Sequence, residues 1–242
     1  MIEKIINNYS LKVFENKNEL FLNISNFIQD EINQSLKVKE RFQFCICGGS
    51  TPKSVYSSLS KRELFWEKVD LFLGDERCVN PQSDQSNTQM IRNSLLKDFG
   101  SKASFYEIFD EDRIDEKVAK RKLINELKRK CYGNPPVFDL TLLGLGDDGH
   151  TASLFPYEEN NDSDDLVIFS FGKGLKRISL TPKILSSSKR VLFIVSGSSK
   201  QIALERLIDS EESFDRTPSK LIKPDSQIII FSDLEASKFL SI

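Results

Sequence analysis

The chain has 242 residues, enough for one large domain or two small ones with a sizeable core. Hydrophobic residues make up 39% and charged residues 29%, and 34 basic against 36 acidic side chains leave a formal net charge of −2. That balance excludes a disordered chain and lacks the basic excess of a nucleic-acid-binding surface, so an anion site has to be built locally.

The first twenty residues are broken by charges, with no signal-peptide apolar run, and no apolar stretch reaches the ~18 residues needed to cross a bilayer. The expected compartment is the cytoplasm, with neither membrane nor nucleic acid as partner. Residues 16–35 carry Leu20, Ile24, Phe27, Ile28 and Ile32 at helical spacing and predict a helix. A strand is predicted over 42–47, with Cys45 and Cys47 on one face, and another over 69–73. Val118, Leu123, Ile124 and Leu127 predict a helix over 115–130 among many charges. Strands over 138–143, 166–171, 177–180 and 191–195 follow, then a helix over 198–208 and a strand over 227–231. The acidic stretch 158–165 reads as a solvated loop. The continuously apolar runs FDLTLL and VLFIV suit strands covered on both faces. Strand, helix and strand in repetition predict an α/β fold, a mainly parallel sheet with flanking helices in a Rossmann-like architecture. One domain over 1–242 is expected, with room for a small lobe within about 150–180. Cys45, Cys47, Cys78 and Cys131 form no CxxC pair and a single histidine is available, so reduced thiols are expected rather than a zinc site.

In an open parallel sheet, ligands collect beyond the carboxyl ends of the strands, where helix N-termini present free N–H groups. Four strand ends are unusual. The first runs into Gly48-Gly49-Ser50-Thr51-Pro52, which suits either a phosphate cradle or an ordinary helix capped by Ser or Thr; it is not a Walker A loop. The second, Gly197-Ser198-Ser199, opens a helix with Lys200 in its first turn, against the helix dipole, which suits either a bound anion or a solvated surface lysine. The third is Asp75-Glu76-Arg77, where Arg77 could fork onto a phosphate or simply pair with a neighbouring carboxylate. The fourth is FDLTLLGLGDDGHTASLFP. Gly144, Gly146 and Gly149 formally satisfy GxGxxG, but Asp147 and Asp148 would repel a pyrophosphate and Pro156 leaves little room for the following helix. Here stands His150, the only histidine, after an acid-acid-Gly turn that would orient an imidazole as a general base.

On GGSTP at 48–52, LGDER at 73–77, Ser86-Asn87, the whole of 138–156 and SGSSK at 196–200, the chain resembles the 6-phosphogluconolactonase family, relatives of the glucosamine-6-phosphate deaminases. The matches run in family order from about residue 44 to 204. Deaminases usually continue the glycine-histidine loop into a Phe-Asn-Glu-Pro type sequence and carry Asp-Glu-Tyr after the earlier strand, whereas this chain reads TASLFP and DER. The resemblance implies a NagB-like fold with no metal or organic cofactor, acting in the oxidative pentose phosphate pathway on 6-phospho-D-glucono-1,5-lactone, a sugar-phosphate lactone. It implies His150 as base and Asp148 as its orienting partner. Arg77 and Lys200 match positions that contact phosphate, beside Gly48, Gly49, Ser50 and Thr51, with Asp75 and Arg177 close by. Two stretches depart from the family: GKGLKR ahead of Arg177 lacks the usual prolines, and Thr217-Pro218-Ser219 only partly matches a Pro-Ala-Ser stretch. A monomer is expected. The alternatives are a glucosamine-6-phosphate isomerase/deaminase and a non-catalytic sugar-phosphate-binding protein.

Overall fold

A computed structural model describes residues 1–110 and 114–240. The chain opens with a hairpin, β1 (Ile2–Ile6) antiparallel to β2 (Tyr9–Phe14). Helix α1 (Lys17–Ser35) starts where Asn16 accepts bonds from the amides of Asn18 and Glu19 at 3.0 and 3.1 Å. Its stripe of Leu20, Ile24, Ile28 and Ile32 is fully buried. Then come β3 (Phe42–Ile46), α2 (Ser50–Leu59), β4 (Val69–Leu73) and β5 (Asp75–Arg77). Helix α3 (Asn87–Ser94) and β6 (Ser104–Tyr106) follow. Asp115 caps α4 (Glu116–Lys130), whose last turn carries Lys128, Arg129 and Lys130, the favourable sign at a C-terminus. The buried face of α4 is Ala119, Leu123 and Leu127; Val118, expected to point inward, is exposed. The second half contains β7 (Leu140–Gly144), β8 (Val167–Gly172), β9 (Leu175–Leu180), α5 (Pro182–Ser186), β10 (Val191–Val195), α6 (Gln201–Ile208) and β11 (Ile228–Asp233).

Eight of these strands form one sheet in the order β1-β2-β11-β10-β7-β3-β4-β6, in which every pairing but β1 with β2 is parallel. Strands β3, β4 and β10 are buried along their whole length; β10 is unbroken apolar, while β3 and β4 each bury one polar side chain, Gln43 and Asp70, which bond to each other at 3.2 Å. From β3 the chain steps to β4 and β6 on one side. From β7, its other neighbour, the chain steps to β10 and then β11 on the opposite side. The strand order therefore reverses between β3 and β7, and a crevice opens beyond their carboxyl ends. The turns at Gly48 and at Gly144–His150 lie at that switch point.

The second sheet is antiparallel, in the order β5-β9-β8. Only Gly74 separates β5 from β4; its amide donates to Ile46 O and its carbonyl accepts from Leu180 N, at 2.9 and 2.8 Å. The small lobe anticipated within 150–180 supplies two of these strands, and residues 75–77 supply the third. The 158–165 stretch contains a short 3-10 turn, Glu159–Asp162, in which Asn161 is buried and donates to Phe155 O at 2.7 Å. The expectation of a wholly solvated loop is wrong there because that side-chain amide closes the turn; the side chains of Asn160 and Asp162 lie outside what is described.

Candidate active site

Every site residue expected from the sequence except Asp148 lines one cleft of about 210 Å³ at the switch point. Asp148 stands just behind it, bonded to His150. The cleft is assembled from four strand ends, and each contributes differently.

Beyond β3, Gly49 takes φ +116°, a conformation suited to glycine, and acts as the N-cap of α2. Neither Ser50 nor Thr51 caps the helix: both lie within its first turn and no side chain accepts from its amides. The capped-helix alternative is thereby overturned, and the positive end of α2 faces the cleft. Beyond β10, Gly197 repeats the device at φ +92°, again without a side-chain cap. Asp233, at the end of β11, fixes this turn by accepting from Ser196 Oγ at 2.5 Å and from Gly197 N at 3.0 and 3.1 Å. Lys200 closes the short 3-10 turn Ser198–Lys200 that leads into α6. Among the described residues no carboxylate lies within 4.0 Å of its ammonium. Burial pulls its pKa down, with Asp147 and Asp148 partly opposing the fall.

Beyond β4, the three residues of β5 divide the work. The buried Glu76 carboxylate accepts from the amides of Arg77, Asn87 and Thr88 and from Ser86 Oγ, at 2.7, 2.9, 2.7 and 2.9 Å. It holds the N-terminus of α3 onto β5, a structural task. Burial raises its pKa and those four donors counter the rise. Asp75 accepts from Ser153 Oγ and, at 3.5 Å, from Arg177 Nη1. Asn87 Nδ2 donates to Asp75 O at 2.9 Å. Arg77 makes no ion pair among the described residues: it donates to Gln85 O, and its buried Nε has no partner. The simple ion-pair alternative for Arg77 is therefore absent. Its cross-strand partner in the register of β5 and β9 is Arg177. Like charges directly opposite one another repel, and both arginines line the cleft. Burial lowers the pKa of Arg177; Asp75 opposes this, and Arg77 adds to it. Two facing guanidiniums, of which only Arg177 has a carboxylate partner among the described residues, suit an anion between them.

Beyond β7 lies the turn with His150. Its Nδ1 is 2.5 Å from Asp148 Oδ1, which also accepts from the His150 amide at 3.1 Å. An ionised carboxylate only accepts, so Nδ1 carries the proton and Nε2 is left as a base. Partial burial pushes the Asp148 carboxyl up, but the side-chain and backbone hydrogen bonds from His150, with Lys173 behind, hold it well below the ordinary carboxylate range. Gly146 makes the packing possible: a Cβ there would lie 2.0 Å from His150 Nδ1. Its amide donates to His150 O at 2.8 Å and closes the turn. The Phe155 ring packs 4.8 Å from the imidazole, and the Arg177 guanidinium lies 5.3 Å from the centroid of that Phe155 ring. Behind the turn, Ser219 N donates to Gly149 O at 3.1 Å, and Thr217 packs on Gly149. The partly matching 217–219 stretch thus braces the histidine turn.

Sequence reasoning missed Asn87, Ser153, Phe155, Lys173 and Asp233. The first three stood inside motifs already singled out and were recognisable only by position; Lys173 and Asp233 come from elements far along the chain. Among the described residues no three His, Cys, Asp or Glu side chains gather as metal ligands, and all four cysteines are free thiols.

An α/β sheet with two uncapped helix starts, an arginine pair and a carboxylate-bound imidazole at its switch point is the frame of an acid–base enzyme for a small anionic substrate. Residues 15–231 match the family of glucosamine-6-phosphate isomerases/6-phosphogluconolactonase, and the chain belongs to that family. It is 30% identical over 237 residues to the 6-phosphogluconolactonase of Nostoc sp. (strain PCC 7120), covering 96% of this chain and 99% of that protein. It is 32% identical over 217 residues to the 6-phosphogluconolactonase of Synechocystis sp. (strain PCC 6803), with 88% and 90% covered. Its fold matches the solved 6-phosphogluconolactonase of Shewanella baltica with a TM-score of 0.85 at 22% identity, over 95% of this chain and 100% of that one. A monomeric glucosamine-6-phosphate deaminase of the NagB superfamily shares the fold with a TM-score of 0.77 at 17% identity, over 94% and 98%. The architecture is NagB-like, as the resemblance implied.

Proposed function

We propose that the protein hydrolyses 6-phospho-D-glucono-1,5-lactone to 6-phospho-D-gluconate, with His150 as general base. The observation that carries this reading is the convergence of the His150–Asp148 pair, the two uncapped helix starts and Arg77, Arg177 and Lys200 on one cleft. The relatives at 30% identity and above are lactonases by name, and the stretches TASLFP and DER favour the same activity over deamination.

The substrate phosphate is held by charge-assisted bonds from Lys200 and Arg77 and by the amides that begin at Ser50 and Thr51. Asp75 and Arg177 bound the sugar side of the cleft. Binding the phosphate, remote from the reacting carbon, fixes the lactone carbonyl against His150. Nε2 takes a proton from water as its oxygen adds to the carbonyl carbon, and Asp148 stabilises the imidazolium through Nδ1–H. When the tetrahedral adduct collapses, the carbon–ring-oxygen bond breaks and Nε2–H returns its proton to the departing oxygen. The ring opens to the acid and the histidine is again neutral. We further read the 242 residues as one domain, working as a monomer in the cytoplasm.

The test supplies fresh lactone and follows its decay above spontaneous opening. His150→Ala is expected to lose two to four orders of magnitude in turnover, the usual scale of a general base. Turnover within a few-fold of the unaltered protein would remove His150 from the mechanism. Ammonia release from glucosamine 6-phosphate would redirect the assignment to the deaminase branch.

A further inference from the structure

The tip of the β8–β9 hairpin is built unusually. Gly172 pairs with Leu175, so Lys173 and Gly174 alone make the turn, with φ +52° and +78°. Two-residue turns with both central residues left-handed favour Asn or Asp followed by Gly. A lysine in the first position is strained, and strain in a turn is kept where the side chain has a task. That side chain reaches across to the histidine turn. Its Nζ lies 3.1 Å from Asp147 Oδ1 and 4.0 Å from Asp148 Oδ2, while the other oxygen of Asp148 holds His150 Nδ1 at 2.5 Å. The same hairpin carries Arg177 into the cleft.

We propose that Lys173 is a positioning residue for the His150–Asp148 pair, docking the hairpin tip on the two aspartates of the histidine turn. It fixes Asp148 from the side opposite the imidazole and ties the placement of Arg177 to that of His150. The inference rests on the role of His150 given above. The charged groups around the pair are Asp147 and Asp148 on its own turn and Lys173 from the hairpin, while Arg77, Lys200 and Arg177 line the same cleft as His150. Behind Gly149, Glu212 and Arg216 pair with each other at 3.5 Å. Lys173 is thus one of the few cations near the pair.

Lys173→Asn separates function from fold, because asparagine is at ease in the left-handed turn. The variant is expected to melt no lower than the unaltered protein. Its kcat should fall about fivefold, with KM for the lactone little changed, the rate equivalent of one half-exposed ion pair. Lys173→Arg should restore kcat. An unchanged kcat in Lys173→Asn, with His150→Ala inactive, would overturn this inference alone. A fully active His150→Ala would instead overturn the role of His150 on which it rests.

Discussion

A methyl group at position 146 tests the histidine turn without touching a reactive atom. A Cβ on Gly146 would stand 2.0 Å from His150 Nδ1, 2.3 Å from Cε1 and 2.6 Å from Asp148 Oδ1, where ordinary contact begins at 3.4 Å. The ring must retreat by the difference, about 1.4 Å, and it loses its 2.5 Å bond to Asp148 in doing so. A displacement of ~1 Å in a catalytic group costs on the order of a hundredfold. Gly146→Ala is therefore expected to lower kcat roughly a hundredfold. The fold should be little affected: the obstruction is two side chains rather than backbone, and alanine restricts the unfolded chain, which offsets part of the clash. The assay is acid release from fresh lactone at constant pH, beside a urea titration of the same sample. A second arm repeats the substitution in a His150→Ala background, where the obstructing ring is gone and no further hundredfold loss is expected. A kcat within twofold of the unaltered protein, or a full second loss without the ring, would refute the reasoning.

Arg77→Ala and Lys200→Ala should each weaken kcat/KM for the phosphorylated lactone roughly tenfold to a hundredfold, the scale of one charge-assisted bond. An equal loss with the unphosphorylated lactone would defeat the anion-site assignment. Glu76→Ala strands the buried Asn87 and Thr88 amides at the start of α3 and the part-buried Arg77 amide of β5, and should cost about 2–4 kcal/mol in a denaturant titration; an unchanged midpoint would contradict its structural role. Asp70 is fully buried. Burial pushes its carboxyl up, but Arg41, bonded to both oxygens at 2.8 Å, together with Tyr106 and Gln43, brings it below its ordinary 3.8. A depressed folded pKa means the stability is present above 3.8 and is lost as pH falls through the lower value. Asp70→Asn should therefore flatten that acid-side fall in urea titrations at pH 6 and pH 3, and an unaltered slope would remove Asp70 from the acid response.

The parallel core was legible because burial on both faces leaves a mostly apolar signature, interrupted only at Asp70 in β4 and Thr141 in β7 among the three strands compared. Residues 69–73 and 191–195 are strands with the expected bounds, and 138–143 differs from β7 by two residues at one end and one at the other. The edges were not legible. β1 reads IEKII, with charges and isoleucines both exposed, so nothing in its pattern distinguishes it from a loop. β5 has three charged residues, and its pairing with β9 is decided by a partner a hundred positions away. Helix α3 was hidden for a related reason: Ser86 caps it locally, but its first two amides are held by Glu76, outside the helix. Local propensity carries no record of such long-range bonds.

The site was legible to the extent that its groups stand directly after strands. His150, the two glycine turns, Asp75, Arg77 and Lys200 all do, because strand ends on one side of a parallel sheet converge whatever their order. What the order adds is the opposition of Arg77 and Arg177, which no spacing rule foresees. Two guanidiniums facing one cavity destabilise the empty protein, and a bound dianion relieves that cost. On the proposed function, the register of the small sheet would give the cleft its preference for phosphorylated substrate, and the Asp148–His150 unit, packed on Gly146, would act on what that preference retains.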